Sequence, residues 1–299
     1  MRALVTGSRG FVGGHLLPRL AERGWRVLGT DREELDVTDS AAVAEALARE
    51  RPDAIVHLAA VSSVGAASRD PGLAFRVNFA GARNLLAAAS RHAPRARVLL
   101  VGSGEVYGPL PDDAPPFDEA EPLRPTSVYG RSKAAADLLG GAWAARGLDV
   151  VRVRAFNHSG PGQSDAFVLA SFARQLARID KGLQDPVVET GNLESIRDFL
   201  DVGDAVAAYA ALLDGNVPPG AYNVASGAGA RIGALLERLM EIMGVRARIA
   251  VEPSRLRAAD RSIGDAARLA RATGWAPRIP IERTLASLAE DWRTRVSAR

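Results

Sequence analysis

Two side chains that can move protons lie four residues apart near the middle of the chain. Tyr129 and Lys133 belong to the segment 127–133, SVYGRSK, which opens an Ala-rich run ending near Arg146. If that run is helical, both side chains point from one face. We expect the ammonium of Lys133 to lower the pKa of Tyr129 below its ordinary value of about 10. Such a phenol can exchange a proton with a sugar or alcohol oxygen.

The lysine of this pair is an unusual residue for this chain. Of the 38 Lys and Arg residues, only Lys133 and Lys181 are lysines. The planar Arg fork is a poor substitute for a compact ammonium, so the pattern indicates that position 133 needs a point charge. Taken alone, the pair is equally consistent with an exposed Tyr and Lys on a helix surface.

A glycine-rich turn near the N-terminus has the spacing of a phosphate site. The apolar run 2–6 is followed by G-x-x-G-x-x-G at Gly7, Gly10 and Gly13. Gly7 permits a turn, Gly10 lets the backbone approach a pyrophosphate, and Gly13 lets the next helix lie close to the sheet. A triplet between a first strand and a first helix indicates dinucleotide binding, and the alternative is a structural turn. The same loop supplies four further predicted cofactor residues: Ser8, Arg9, Phe11 and Val12.

The choice of dinucleotide is left open by the residues after the second predicted strand, 25–30. Asp31 stands where an acid accepts the adenine ribose hydroxyls of NAD(H) and repels the 2′-phosphate of NADP(H). Arg32 and Arg9 instead favour NADP(H), because their positive charge suits the 2′-phosphate. Further residues expected to border the cofactor are Asp36, Val37, Leu58, Ala59, Ala60 and Phe156.

Strand and helix patterns alternate through the first half of the chain. Apolar runs at 53–60, 97–103 and 149–156 predict further buried strands, and the alternation indicates an α/β fold with a doubly wound parallel sheet. Ser103 ends one of these strands, at the sheet edge where such folds bind ligands. Beyond 156 the alternation weakens, which indicates a smaller mixed α/β substrate domain. The predicted division is 1–156 plus about 186–217 for the dinucleotide domain, and about 157–185 plus 218–299 for the substrate domain.

Composition narrows the class of protein. The 299 residues carry a net charge of +3 without a dense basic stripe, so nucleic acid is not an expected partner. No membrane span or secretion signal is expected, and the absence of cysteine fits a reducing cytoplasm. No metal site is expected either, because His158 has no partner at metal-ligand spacing.

Four segments together resemble the extended short-chain dehydrogenase/reductase family: TGSRGFVGG, VGSGEVYG, YGRSK and RAFNHSGPGQ. The resemblance covers essentially the whole chain and implies action on a nucleotide-diphosphate sugar. The likeness is greatest to the branch that reduces GDP-linked 4-keto-6-deoxy sugars with NAD(P)H. Enzymes that dehydrate GDP-mannose at C4 and C6 come next.

The resemblance also implies roles for individual residues. Ser103 corresponds to the catalytic Ser or Thr that binds the reacting oxygen, Tyr129 to the proton donor, and Lys133 to the residue that holds the nicotinamide ribose. Asn157 matches a residue that faces the substrate diphosphate, although it could also satisfy a buried turn. Two arginines correspond to diphosphate ligands, Arg197 and Arg257.

One departure from the family pattern separates the two leading hypotheses. Glu105 stands where dehydratases place their base, and the reductase branch has an acid there too. Gly104 occupies the position where dehydratases have Asp or Ser, so loss of the C6 hydroxyl lacks its proton source. A reductase is therefore favoured over a dehydratase or epimerase with tightly bound NAD(P). A non-catalytic dinucleotide sensor, a third class, needs neither Tyr129 nor Lys133.

Relatives in this family dimerise through two helices that correspond to 73–92 and 127–146, so a homodimer is expected. The nucleotide, the sugar (hexose or heptose) and the C4 stereochemistry of the product stay open at this point.

Overall fold

Strands and helices alternate along the described part of the chain. The computed structural model describes residues 1–252 and 259–297. Its strands are β1 (Arg2–Thr6), β2 (Arg26–Thr30), β3 (Ala54–His57), β4 (Arg97–Val101), β5 (Val150–Ala155), β6 (Asn157–Ser159), β7 (Val187–Thr190), β8 (Ile196–Asp201), β9 (Gly220–Val224), β10 (Gly229–Arg231), β11 (Arg248–Val251) and β12 (Arg261–Ser262). Its α-helices are α1 (Phe11–Glu22), α2 (Ser40–Glu50), α3 (Val64–Arg69), α4 (Pro71–Phe75), α5 (Ala82–His92), α6 (Val128–Ala145), α7 (Val168–Asp180), α8 (Val202–Leu212), α9 (Ile232–Met243), α10 (Ala267–Thr273) and α11 (Ile281–Ser297). A π-helical stretch, Arg76–Gly81, joins α4 to α5, and a 3₁₀ turn, Gly104–Val106, follows β4.

A parallel sheet of six strands forms the centre of the molecule. Its order is β2-β1-β3-β4-β5-β9, and every neighbouring pair is parallel. The strands read as continuous apolar runs because both faces are buried. One core lies between the sheet and α1, α8 and α10, and the other between the sheet and α2, α5 and α6. The predicted doubly wound class is confirmed.

A smaller unit lies beside the carboxyl end of this sheet. Strand β8 pairs with β6, β10 and β12, while β7 pairs with β11. Helices α7, α9 and α11 bury a separate apolar core under these strands. Within 1–252 and 259–297, no helix has the length and apolar character needed to cross a membrane.

Strand pairing departs from the predicted division of the chain at two places. Strand β9, placed with the substrate unit, pairs with β5 in the large sheet, because α8 returns the chain across the sheet and Tyr222 and Val224 are buried in its core. Strands β7 and β8, placed with the dinucleotide unit, pair only with strands of the smaller unit among the described residues. The assignment of the smaller unit to substrate binding stays a prediction.

Candidate functional site

The glycine loop between β1 and α1 is shaped by close backbone contacts. Gly7 has a φ of +71°, and a Cβ there would lie 2.7 Å from the amide nitrogen of Ala59. A Cβ on Gly13 would lie 2.3 Å from the carbonyl oxygen of Ser8, so α1 sits directly on the loop. Both positions therefore require glycine. A Cβ on Gly10 would meet only the Gly7 carbonyl oxygen, at 3.2 Å, and its predicted role toward a pyrophosphate stays a prediction.

The first turn of α1 is open to an anion. Its N-cap, Gly10, has no side chain that could accept from the free N–H groups of this turn. These N–H groups and the positive end of the helix dipole suit a phosphate. The cradle that the glycines leave beside Ala59 fits a dinucleotide pyrophosphate. Phe11 opens the helix, and its ring stacks on the imidazole of His158 with ring centroids 6.1 Å apart.

Acids and arginines alternate at the end of β2. The Asp31 carboxylate accepts backbone N–H groups from Arg9 at 3.0 Å and from Arg32 at 2.8 Å. The Arg9 guanidinium donates to Glu33 at 3.0 Å and also to Glu34. The side chains of Arg9 and Arg32 are exposed, at 61% and 83%. Asp31 is thus held at the edge by the main chain, while the Arg32 guanidinium pairs with Asp36 at 3.8 Å.

Two more predicted cofactor residues lie beside this corner. Asp36 accepts both the N–H and the hydroxyl of Thr38, at 2.8 and 2.7 Å, and these bonds lower the pKa of its carboxyl. Val37 is buried, and its carbonyl accepts from the Asn84 amide at 3.1 Å. The loop that would border the adenine is therefore fixed by its own side chains.

The ends of β1, β3 and β4 meet beneath Lys133. Thr6 Oγ1 and His57 Nδ1 share a hydrogen bond of 2.8 Å, and Lys133 Nζ donates to the Val101 carbonyl at 2.8 Å. Burial lowers the pKa of Lys133 to about 8. Burial, followed by the charge of Lys133, lowers the pKa of His57 to about 3, so this imidazole is neutral at physiological pH. The half-buried residues Leu58, Ala59 and Ala60 continue this edge.

Helix α6 begins where its sequence supplies a cap. Ser127 accepts from the backbone N–H of Gly130 at 2.9 Å, which satisfies a free donor of the first turn. Tyr129 lies within this first turn and Lys133 lies one turn later, and the two residues are 9% and 7% exposed. The predicted shared helix face is thus present, and it is buried against the sheet edge.

Ser103, Tyr129 and Glu105 lie together at the end of β4. The Ser103 hydroxyl is close enough to Tyr129 for its hydrogen bonding to act on the phenol, and the Glu105 carboxyl is close enough to act on the phenol electrostatically. Ser103 is also anchored, because its Oγ accepts from the Glu105 backbone N–H at 3.2 Å. The three groups lie together at the carboxyl end of β4, the edge of a parallel sheet where ligands bind.

The predicted lowering of the Tyr129 pKa is wrong for this structure. Burial raises the pKa of the phenol to about 12, the hydrogen bond from Ser103 lowers it, and the charge of Glu105 raises it. Lys133 is not among these causes, and its ammonium is held by the Val101 carbonyl instead. At neutral pH, Tyr129 is therefore a phenol that can donate a proton.

The predicted substrate residues lie on neighbouring strands of the smaller unit. Asn157 on β6 pairs with Phe199 on β8, two residues from Arg197. Asn157 is exposed and donates to the Asp198 carbonyl at 3.2 Å, so it does not satisfy a buried turn. Arg197 forms a 2.6 Å salt bridge with Asp260. Arg257 lies outside the described residues.

Phe156 lies between two glycines at the boundary of the two units. A Cβ on Gly104 would lie 3.0 Å from atoms of the Phe156 ring, and a Cβ on Gly264 would lie 2.3 Å from the opposite edge. Any side chain at position 104 therefore requires the ring to shift. Phe156 was predicted to border the cofactor, and its ring is 4% exposed.

Sequence reasoning missed the polar groups that support this edge from behind. Asn78 accepts from the Val61 N–H at 2.8 Å and donates to Ser132 on α6 at 2.9 Å, so it joins the cofactor edge to the catalytic helix. Thr6 and His57 were read only as strand residues. A buried polar side chain inside an apolar run was the available signal for both.

The chain is similar in sequence and in fold to several known proteins. A model of the "NAD dependent epimerase/dehydratase family" matches residues 3–225. The GDP-6-deoxy-D-mannose reductase of Pseudomonas aeruginosa is 40% identical over 300 residues, 99% of this chain and 98% of that protein. RMD from Pseudomonas aeruginosa, solved complexed with NADPH, has a TM-score of 0.90 at 39% identity, covering 98% of this chain and 99% of that chain. The UDP-glucose 4-epimerase of Thermus thermophilus, in complex with NAD, has a TM-score of 0.87 at 30% identity, covering 98% and 99%. The similarity extends beyond residue 225 into the C-terminal part of the chain.

Proposed function

The chain belongs to the NAD-dependent epimerase/dehydratase family, and on that premise we propose that it reduces the 4-keto group of a nucleotide-linked 4-keto-6-deoxy sugar. The natural substrate we infer is GDP-4-keto-6-deoxy-D-mannose, with GDP-D-rhamnose as product. The observation that carries the proposal is the 40% identity to a GDP-6-deoxy-D-mannose reductase over 99% of the chain, which includes the smaller unit as well as the glycine loop.

The geometry at the end of β4 suits the chemistry of this reduction. Bound NAD(P)H supplies the hydride that reaches C4. Ser103 and Tyr129 donate hydrogen bonds to the carbonyl oxygen and stabilise the negative charge that develops there. Tyr129 then gives its proton to the new alkoxide, and its raised pKa ensures that the proton is present at neutral pH. Lys133, buried beside the strand ends, would hold the nicotinamide ribose of the bound coenzyme.

We propose that Asn157, Arg197 and Arg257 bind the diphosphate of the substrate. Arg197 has donors left for this role: its salt bridge to Asp260 and its bonds to the Ile196 and Asp260 carbonyls use three of five N–H groups. A planar guanidinium matches the geometry of two phosphate oxygens.

We propose NADPH as the preferred reductant. Arg9 and Arg32 flank this corner with exposed guanidinium groups, which pair with Glu33, Glu34 and Asp36 and leave Asp31 to backbone N–H groups. A similar structure is complexed with NADPH. Arg32→Ala should lower kcat/KM for NADPH more than for NADH, because only NADPH carries a 2′-phosphate. Arg49→Ala, which removes another exposed arginine far along α2, should change neither value. Equal loss with both reductants would contradict the assignment.

A 4,6-dehydratase that recycles a tightly held coenzyme is the alternative within this family. Such an enzyme must protonate the departing C6 hydroxyl, and Gly104 offers no side chain for that purpose. A Cβ at position 104 would lie 3.0 Å from atoms of the Phe156 ring, so the space beside this glycine is filled with apolar atoms. This packing favours the reductase.

The substrate assignment is tested with a matched panel of nucleotide sugars. GDP-, UDP- and dTDP-linked 4-keto-6-deoxyhexoses are each incubated with NADPH, and coenzyme oxidation is followed by absorbance at about 340 nm. We expect turnover with the GDP-linked sugar and at least a tenfold lower kcat/KM with the other two. Oxidation with none of the three would refute the proposed reaction, and preference for another base would correct the nucleotide alone.

We further propose a homodimer built from the exposed face of α4, α5 and α6. Leu138 on α6 is 63% exposed and Phe75 on α4 is 39% exposed, although both are large apolar side chains. Leu138→Glu should therefore shift sedimentation toward the monomer, while Leu183→Glu, at a leucine 53% exposed after α7, should not. A monomeric unmodified chain at micromolar concentration would contradict the dimer. We also propose that the activity is cytoplasmic, which the absence of cysteine from the sequence supports.

A further inference from the structure

Helix α6 rests on the sheet through an unusually smooth face. A Cβ on Gly130 would lie 2.7 Å from the Glu105 carbonyl oxygen, and a Cβ on Gly140 would lie 2.9 Å from Leu100 Cδ2. Ala134 and Ala136 are also buried between these positions. Small side chains allow close approach, but they interdigitate little and leave the helix free to slide along its axis. Directional polar contacts must therefore fix the positions of Tyr129 and Lys133.

Asp137 supplies three of these contacts, in addition to those of Lys133 with Val101 and of Ser132 with Asn78. It lies one turn after Lys133 and two turns after Tyr129, on the same buried face of α6, with its side chain 2% exposed. The two carboxylate oxygens accept hydrogen bonds from Nε and Nη2 of Arg154 on β5, each at 3.0 Å. Arg152, two residues earlier on the strand, donates to the same carboxylate at 2.8 Å. The Arg154 pair is a two-point fork, which fixes direction as well as distance.

Arg154 connects this fork to the strand end that carries Ser103. Its Nη1 donates to the Tyr107 hydroxyl at 2.9 Å, and that hydroxyl donates to Asn223 Oδ1 at 2.7 Å. Tyr107 follows the 3₁₀ turn, four residues after Ser103, and its ring is stacked on Phe117 at 4.7 Å. One guanidinium therefore links α6, β5 and the turn after β4.

We propose that the buried Asp137–Arg154 fork, extended by the Tyr107 hydroxyl, is a positioning device that sets the Tyr129 phenol against Ser103. The proposal rests on the proposed function, because it concerns the proton donor of that reaction. None of the three residues needs to touch substrate or coenzyme. Arg154 instead fixes α6 and the Ser103 turn to the same strand, so that the two reacting groups share one reference point.

An ion pair suits this purpose better than apolar contacts do. Burying two charges has a desolvation cost close to the gain from their attraction, so such pairs define geometry more than they add stability. Catalytic geometry is demanding, since a misplacement of about 1 Å can lower a rate by about 100-fold. The fork lies two helical turns from Tyr129, where a small axial slide moves the phenol by the same amount.

The two arginines of β5 provide a matched pair of variants. Arg154→Lys keeps the charge but loses the fork and the bond to Tyr107, so we expect kcat to fall by about 10- to 100-fold. The Kd for NADPH should change less than kcat does, because the glycine loop is untouched and only Lys133 moves with α6. Arg152→Lys makes the same substitution on the same strand against the same carboxylate, and kcat should stay within about twofold of the unmodified enzyme. Equal kcat losses in both variants would overturn the proposal.

A readout independent of turnover is the ¹³C NMR spectrum of the protein labelled at tyrosine Cζ. The chain has only four tyrosines, so each resonance can be assigned by a Tyr→Phe change. We expect the Tyr129 resonance to shift in Arg154→Lys and to stay in place in Arg152→Lys. If Arg154→Lys does not fold, Tyr107→Phe removes one hydroxyl and should still shift that resonance. An unmoved Tyr129 resonance in the folded variants overturns the positioning role, whereas failure of the unmodified enzyme to oxidise NADPH refutes the proposed function alone.

Discussion

The two sides of the site are built by different means. On the coenzyme side, main-chain contacts set the shape: Gly7 lies against Ala59, Gly13 lies against Ser8, and no side chain caps the first turn of α1. On the catalytic side, side chains set the shape, through the Ser103–Tyr129 bond and the fork between Asp137 and Arg154.

This difference predicts how each side fails. A backbone-built cradle has no part that can be removed by itself, so a change there should affect folding and binding together. A side-chain network can lose one hydrogen bond while the fold persists, so a change there should separate turnover from binding. Lys133 lies between the two sides, so a substitution there should affect both coenzyme binding and turnover.

The largest effect is expected in the cradle. Gly13→Ala places a Cβ 2.3 Å from the Ser8 carbonyl, so α1 must move and NADPH binding should weaken by at least about 100-fold. Gly14→Ala makes the same change at the next residue, where a Cβ meets nothing within 4 Å, and should raise stability by about 0.5–1 kcal/mol. Calorimetric titration with NADPH and thermal melting measure both. Tight binding by Gly13→Ala would remove the basis of the comparison.

The next largest effect is expected for the proton donor. Tyr129→Phe should lower kcat by about 100- to 10,000-fold, because the alkoxide loses its proton source. The Kd for NADPH should stay within about threefold, since the cradle is intact. Tyr222→Phe removes a hydroxyl that donates to the Pro218 carbonyl at 2.8 Å and should leave kcat unchanged. Undiminished turnover by Tyr129→Phe would refute the role of this residue.

Lys133→Arg should weaken both binding and turnover, by about 10-fold or more, because a planar fork cannot replace a buried ammonium. The matched control is Lys181→Arg at the exposed second lysine, which should have no effect.

The same lysine predicts a pH dependence. Its pKa is about 8, so the ammonium is lost as pH rises through that value, and kcat/KM for NADPH, which reports the free enzyme, should fall there. The pH profile of kcat/KM should show no inflection from Tyr129 below about pH 12. It should show none from His57 between about pH 3 and 8, because this imidazole stays neutral there. A profile with the same limb near 8 in Lys133→Arg would assign that limb to another group.

The smallest effect is expected where neither side of the site is touched. Asp39 caps α2 by accepting from Ala41 and Ala42 at 2.9 and 3.1 Å. Asp39→Ala should cost about 1 kcal/mol of stability without changing kcat, because a cap supports only its own helix. Glu45→Ala, at an exposed position of the same helix, should change stability by less than about 0.5 kcal/mol. Denaturant unfolding distinguishes the two.

Local spacing explains what the sequence could predict. The glycine triplet, the strand ends and the four-residue interval between Tyr129 and Lys133 are features of one or two adjacent elements, and the structure has all of them.

Sequence patterns do not predict which side chains of different elements contact one another. Asp137 and Arg154 lie in different elements, and Tyr107 bonds to Asn223, 116 residues away. The Tyr129 pKa was predicted in the wrong direction, because the outcome depends on burial of the phenol, which three-dimensional packing decides. The pairing of β9 with β5 depended on where α8 returns the chain, which strand patterns do not specify.

The most direct test of the account follows one hydrogen atom. The protein is incubated with GDP-4-keto-6-deoxy-D-mannose and NADPH deuterated at the transferred C4 position, and the product is examined by mass spectrometry and NMR. The account predicts one deuterium at C4 of the product sugar for each coenzyme oxidised, at a rate that Tyr129→Phe lowers by at least about 100-fold. A product without deuterium at C4 would contradict it. So would a separate incubation with GDP-mannose in which the protein removes water from that sugar with no net oxidation of coenzyme.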